Sequence, residues 1–196
     1  MPSTAIESKL LTDRSGPSTR VRVDPGQTGF FAGRMFRSFV EQVIPVAGPS
    51  VQFRFVSTID FILWAQTLVL TQGALRLAIY TGATDSGGWT TSLPIIGVNR
   101  MGERPAPFYT SSVTIQTGGD FTGGTQVDDM IIKCSTNQGN QSSQNAGGET
   151  TERGLPAGTY FGRFSTLTGG VAPTDAAQML YTLYWEERVP NLNGAQ

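Results

Sequence analysis

The sequence predicts an all-β chain: a single antiparallel β-sandwich, jelly-roll-like, preceded by an extended N-terminal arm. Three observations carry that expectation. Gly (24) and Pro (11) punctuate the chain at short intervals, which suits turns and leaves little room for long helices. The apolar fraction is only 38 %, yet 11 Phe, 5 Tyr and 3 Trp supply bulky core material. Apolar residues also recur with a period of two in segment after segment, so that one face of each segment is buried. A length of 196 residues accommodates one such domain and an arm.

In chain order, residues 1–29 lack sustained periodicity and are rich in Ser, Thr, Pro, Gly and charge, as in an arm ordered by a partner. The segment Phe30 to Phe39 then places four further-burying aromatics, Phe30, Phe31, Phe36 and Phe39, within ten positions. Such density demands burial, against this subunit's own core or against a neighbour. We place the arm at residues 1–37 and the sandwich at residues 38–190. The expected strands are Phe39–Val46, Val51–Val56, Phe61–Ala65, Ala74–Ile79, Ser112–Thr117, Asp128–Ser135, Gly158–Ser165 and Gln178–Glu187. The last is the clearest, with Met179, Tyr181, Leu183 and Trp185 on one face. Two connections are too long for hairpins. Residues 81–110 contain apolar anchors (Trp89, Leu93, Ile95, Ile96, Phe108) and are expected to be ordered, whereas residues 136–151 are almost wholly polar and are expected to be mobile or stabilised only by contact.

Charge and composition narrow the function. Fourteen cations against fifteen acids give a net charge of −1, so no global field draws the chain to nucleic acid or to a membrane surface. The arm is locally basic: Lys9, Arg14, Arg20, Arg22, Arg34 and Arg37 stand against Glu7, Asp13 and Asp24. Twelve of the fourteen cations are Arg, whose rigid fork suits carboxylate pairing at interfaces. Cys134 is the only cysteine, which excludes an intrachain disulfide and reads as a packed small residue. The first residues show no basic region followed by an apolar one, and no apolar run reaches bilayer length. A soluble protein made in the cytoplasm is expected.

The chain has no histidine. That removes histidine-based acid–base work, Ser–His and Cys–His nucleophiles and nearly every standard zinc site. Asp128 and Asp129, like Glu186 and Glu187, are strand neighbours that face opposite ways and cannot flank one bond. Asp120, Asp128 and Asp129 match no calcium-loop spacing. No catalytic residue, metal site or cofactor is expected, and the chain reads as a non-enzyme. The polar knot Asn99-Arg100-Met101-Gly102-Glu103-Arg104-Pro105 stands out instead. Arg100 and Arg104 can each grip a carboxylate, with Glu103 beside them, in a network that fixes the loop and specifies how subunits meet.

Several motifs together resemble virion structural proteins of tailed bacteriophages. They are Phe31-Ala32-Gly33-Arg34-x-Phe36-Arg37, the stretch Leu93-Pro94-x-Ile96-Gly97-x-Asn99-Arg100-Met101-x-Glu103-Arg104-Pro105-x-Pro107-x-Tyr109, Thr122-Gly123-Gly124-Thr125, Glu152 to Tyr160, and Trp185-Glu186-Glu187-Arg188. The resemblance spans residues 30–188 and implies a head-decoration (capsid-stabilising), fibre or tail-attachment protein, assembled in the host cytoplasm and residing in the virion. It also implies a homotrimer whose partners are other capsid or tail proteins, with the arm docking on the particle. The expected subunit or partner interface is Phe30, Phe31, Arg34, Phe36, Arg37, Arg100, Glu103 and Arg104. The competing expectation is a carbohydrate-binding module for host surface glycan. For that module Trp89 is the stacking candidate, because Trp64 and Trp185 sit in apolar strand patterns and read as core.

Overall fold

The computed structural model describes residues 12–13, 20–21, 28–45, 50–99, 109–133, 142–146, 153–167 and 176–188. The elements begin with a short antiparallel pair, β1 (Thr12–Asp13) and β2 (Arg20–Val21), and a single helical turn, α1 (Thr28–Phe31). Then follow β3 (Met35–Ile44), β4 (Val51–Ser57), β5 (Phe61–Gln72), β6 (Ala74–Thr81), β7 (Thr84–Gly87), β8 (Thr91–Ser92) and β9 (Ile96–Gly97). The rest are β10 (Val113–Thr117), β11 (Asp120–Thr122), β12 (Thr125–Lys133), β13 (Ser142–Ala146), β14 (Arg153–Leu155), β15 (Gly158–Thr166) and β16 (Ala177–Glu187).

Two antiparallel sheets pack face to face. Sheet I has the order β13-β5-β16-β3-β9, with β14 also on the free edge of β5; sheet II has the order β12-β6-β15-β4-β10-β8. The topology is that of a jelly roll. Among β3, β4, β5, β6, β12, β13, β15 and β16, the first pairs with the last, the second with the seventh, the third with the sixth and the fourth with the fifth. This is a long hairpin rolled up, sealed by the β5–β16 and β6–β15 pairings. The all-β sandwich expected from the sequence is therefore the architecture.

Alternation builds the core. Along β16 the inward row is Ala177, Met179, Tyr181, Leu183 and Trp185, all buried, while Gln178 and Leu180 face outward. Opposite it, Phe53 and Phe55 of β4 and Phe164 of β15 close the space. The rings meet across the sheets, Phe53 lying 5.5 Å from Tyr181 and Phe55 5.5 Å from Trp185 edge-on, while within sheet I Phe36 stacks on its cross-strand partner Trp185 at 5.9 Å. Each such ring removed from water contributes on the order of 2 kcal/mol.

Two expectations need correction. The sandwich begins at Met35, inside the segment assigned to the arm, because Phe36 belongs to the core. Most of the remaining arm lies outside the described residues. The apolar run Phe61–Ala65 continues through Gln66 and Thr67 to Gln72, since β5 is paired on both sides and its polar residues find partners. The polar connection at 136–151, expected to be mobile or stabilised only by contact, contains β13, which pairs with Gln66–Leu70 of β5 through backbone hydrogen bonds that need no apolar side chain, so its described part follows the second alternative. Within residues 81–110 the ordered reading holds for the described part, where Leu93 and Ile95 pack on the core.

Candidate functional site

The aromatic segment that opens the described fold is docked on the end of β16. Gly33, at φ 69°, turns the chain out of α1, and the turn closes through Gly33 N–H to Phe30 O (3.0 Å) and Arg34 N–H to Gly29 O (2.8 Å). Asn99 Nδ2 donates to Phe30 O (3.1 Å), and Glu187 N–H donates to Arg34 O (3.0 Å). The Glu186 carboxylate lies so close to Gly29 that any side chain there would collide with it. Of the expected interface residues, Phe30, Arg34 and Arg37 are half-buried here, and Arg34 Nε is buried without an acceptor among the described residues. Phe36 is a correction: at 4 % exposure it fills this subunit's own core and presents nothing to a neighbour. The side chain of Phe31, and Arg100, Glu103 and Arg104 altogether, lie outside the described residues.

From Arg37 the outward row of β3 runs Arg37, Phe39, Glu41, Val43, beside the outward row Tyr184, Thr182, Leu180, Gln178 of β16. Phe39 (42 % exposed), Val43 (52 %) and Leu180 (39 %) leave large apolar surface in water on the outer face of sheet I. The register places Leu180 opposite Glu41, diagonal to both Phe39 and Val43, so the three surround that carboxylate. Arg37 and Glu41 flank Phe39 on the same face, and neither has an ion-pair partner among the described residues.

Glu187 is the anchor of this end of the molecule and was missed in the sequence. The inward row 179, 181, 183, 185 of β16 continues to 187, so the carboxylate points into the core and is fully buried. Donors converge on it: Tyr109 Oη (2.9 Å), Ser111 Oγ, Ser112 N–H (2.9 Å) and Oγ (2.9 Å), and Trp185 Nε1 (3.3 Å). Residues 109–112, which lead from the polar knot into β10, are thereby pinned between the sheets. Burial, then the hydrogen bond to Glu187 and its charge, push the Tyr109 phenol up to about 12.

Trp89 lies on the outer face of sheet II and has a packing role. Its Nε1 donates to Asp85 (2.7 Å), the Arg54 guanidinium sits 5.3 Å from the ring, and Gly119 abuts the indole so closely that no side chain fits there. Phe161 is 6.1 Å away and continues the cluster to Phe121 and Tyr80, with Arg163 over Phe121 at 4.6 Å. The Trp89 hydrogen bond, with Gly87 N–H and Arg54, holds the Asp85 carboxyl below the usual range. Trp64, read as core, is half-buried at a bulge where β5 passes β16, and its Nε1 is buried without a partner among the described residues; Trp185 is core, as expected. Among the described residues no His, Cys, Asp and Glu grouping could hold a metal. The three acids weighed for calcium diverge, with Asp120 accepting from Phe121 N–H, Asp128 from Gln66 and Asp129 from Arg76. An open cleft of about 560 Å³ lies between the end of β3 and the β10–β11 turn, lined by the polar Gln42, Ser50, Thr91 and Asp120 and by the apolar Val43 and Val51. No family model matches this chain, and neither a curated protein nor a solved structure matches it.

Proposed function

We propose that this chain is a non-enzymatic structural subunit of a phage particle, a head-decoration, fibre or tail-attachment protein that works through protein–protein contacts. The observation that carries the reading is the outer face of sheet I, where Phe39, Val43 and Leu180 stand in water. The occupant of that face is a further copy of this chain, with three copies the expected number. Arg37 and Glu41 support this choice, since a neighbouring copy supplies each with the opposite charge while covering the apolar residues between them. The half-buried Phe30 and Arg34 continue the same edge.

Absolute mass by light scattering on a size-exclusion column tests the reading. A trimer is expected for the native chain, and Phe39→Lys with Leu180→Lys should shift it to the monomer mass while a cooperative unfolding transition is kept. A native monomer at high concentration, or an oligomer indifferent to both substitutions, would overturn it.

The open cleft favours a second reading, a glycan-binding module in which Gln42, Ser50, Thr91 and Asp120 hydrogen-bond sugar hydroxyls. Trp89 plays no stacking part in that version, so Trp89→Ala should leave polysaccharide binding intact while Asp120→Ala removes it on a glycan array.

A further inference from the structure

Between the sheets the core leaves a cavity of about 120 Å³, walled by Phe53, Phe55, Phe61, Tyr160 and Leu183. Its rim is not apolar. Tyr181 Oη donates to Gln66 Oε1 (2.6 Å), and Gln66 Nε2 donates to Asp128 Oδ2 (3.0 Å), a relay running from the buried Tyr181 to the half-buried Asp128. Val127, which also lines the cavity, is 50 % exposed and marks the mouth. A bulge makes this possible: between Gln126 and Asp128 the register of β12 against β6 slips, leaving Val127 as an extra residue. Without it Val127 and Asp128 would face opposite sides of the sheet. The neighbouring Asp129 resumes the alternation and pairs with Arg76 outside at 2.8 and 2.7 Å.

The geometry points to a binding site for a small amphiphile with an apolar body and a hydrogen-bond-donating head, an amine or an alcohol. The body enters among the aromatic rings. The volume is close to the roughly 150 Å³ that admits a benzene-sized guest, which limits the body to about six or seven heavy atoms. The head stays at the mouth and donates to Asp128, whose carboxylate oxygens each accept more than one hydrogen bond. A carboxylate head is rejected, because it would meet Asp128 at close range. This site is independent of the assembly reading, since neither the outer face of sheet I nor the open cleft contributes to it.

The test is titration calorimetry on the full chain at pH 7 with 1-hexanol, hexylamine and sodium hexanoate. The alcohol and the amine should bind saturably with Kd about 1 mM or tighter, as expected for burying a six-carbon chain. Hexanoate should be weaker by at least about tenfold. Asp128→Asn keeps an acceptor for Gln66 and should bring hexylamine down to the level of hexanol. Val127→Trp, at an exposed position, should close the mouth and weaken both ligands by about tenfold or more. In the unaltered chain, nuclear Overhauser contacts from the hexyl methyl to Phe55 and Leu183 should be seen, a readout that needs no variant to fold. Absence of binding by all three probes, equal binding of hexanoate, or contacts elsewhere on the surface would overturn the assignment.

Discussion

Glu187 combines full burial with a dense ring of donors and so concentrates a large share of the local stability in one carboxylate. Glu187→Gln is nearly isosteric but turns a donor toward groups that themselves donate. It should destabilise the fold by about 3 kcal/mol, read as a lower urea midpoint with unchanged slope. Tyr109 adds a pH dependence of known sign. Its phenol is raised from about 10 in the unfolded chain to about 12 in the fold. The folded state therefore holds the proton more tightly, and the contribution is complete below pH 10 and fades as pH rises toward 12. Urea midpoints should fall over that alkaline window, and Tyr109→Phe should flatten the fall. At the acid end the sign reverses: Asp85 and Asp129 are held below the usual carboxylate range by Trp89 and Arg76 respectively. Their contributions are present at neutral pH and vanish as pH drops through those lowered values.

Strands show both what alternation reveals and where it stops. β16 was legible because its buried row is unbroken, and extending that row by one step would have located Glu187 as an inward carboxylate. β13 was hidden because it pairs along an edge through its backbone, and Ser142 to Ala146 carry no apolar signature. The cavity was hidden for another reason: the β12 bulge is a register slip, visible only against β6. Likewise the exposed Phe39 and the buried Phe36 belong to one aromatic cluster in the sequence, and only the register of β3 separates core from surface. Gly162 illustrates the same limit within β15. It breaks the inward row between Tyr160 and Phe164, and the Phe53 ring from the adjacent strand occupies the space a side chain would need. Gly162→Ala should therefore push Phe53 aside and lower stability by about 2 kcal/mol, measured by thermal or urea unfolding.

At the scale of the whole molecule the two sheets present different outer faces. Sheet II is partly dressed by its own chain: β11, paired with β7, lays Phe121 on the outward Phe161 of β15, with Trp89 beside it, and both Phe side chains are buried. Sheet I clusters Phe39, Val43 and Leu180 in water on two paired strands, whereas the exposed Val127 and Ile131 of sheet II lie on its edge strand β12, and the cluster favours sheet I as the contact face in the proposed assembly. A charge exchange tests that face without touching the core. Glu41→Arg alone should weaken self-association by at least about tenfold, and adding Arg37→Glu should restore most of it, read by sedimentation equilibrium.

The order in which the strands emerge during synthesis has its own outcome. β16 sits between β5 and β3, so the strand that joins those two is missing until residues 177–187 have left the ribosome. Until then Phe36, Leu68 and Leu70 wait with an unpaired backbone edge beside them, and closure of sheet I is deferred until β16 emerges. Nascent chains halted before Ala177 should be protease-sensitive and held by chaperones, whereas chains carried past Glu187 become resistant in one step.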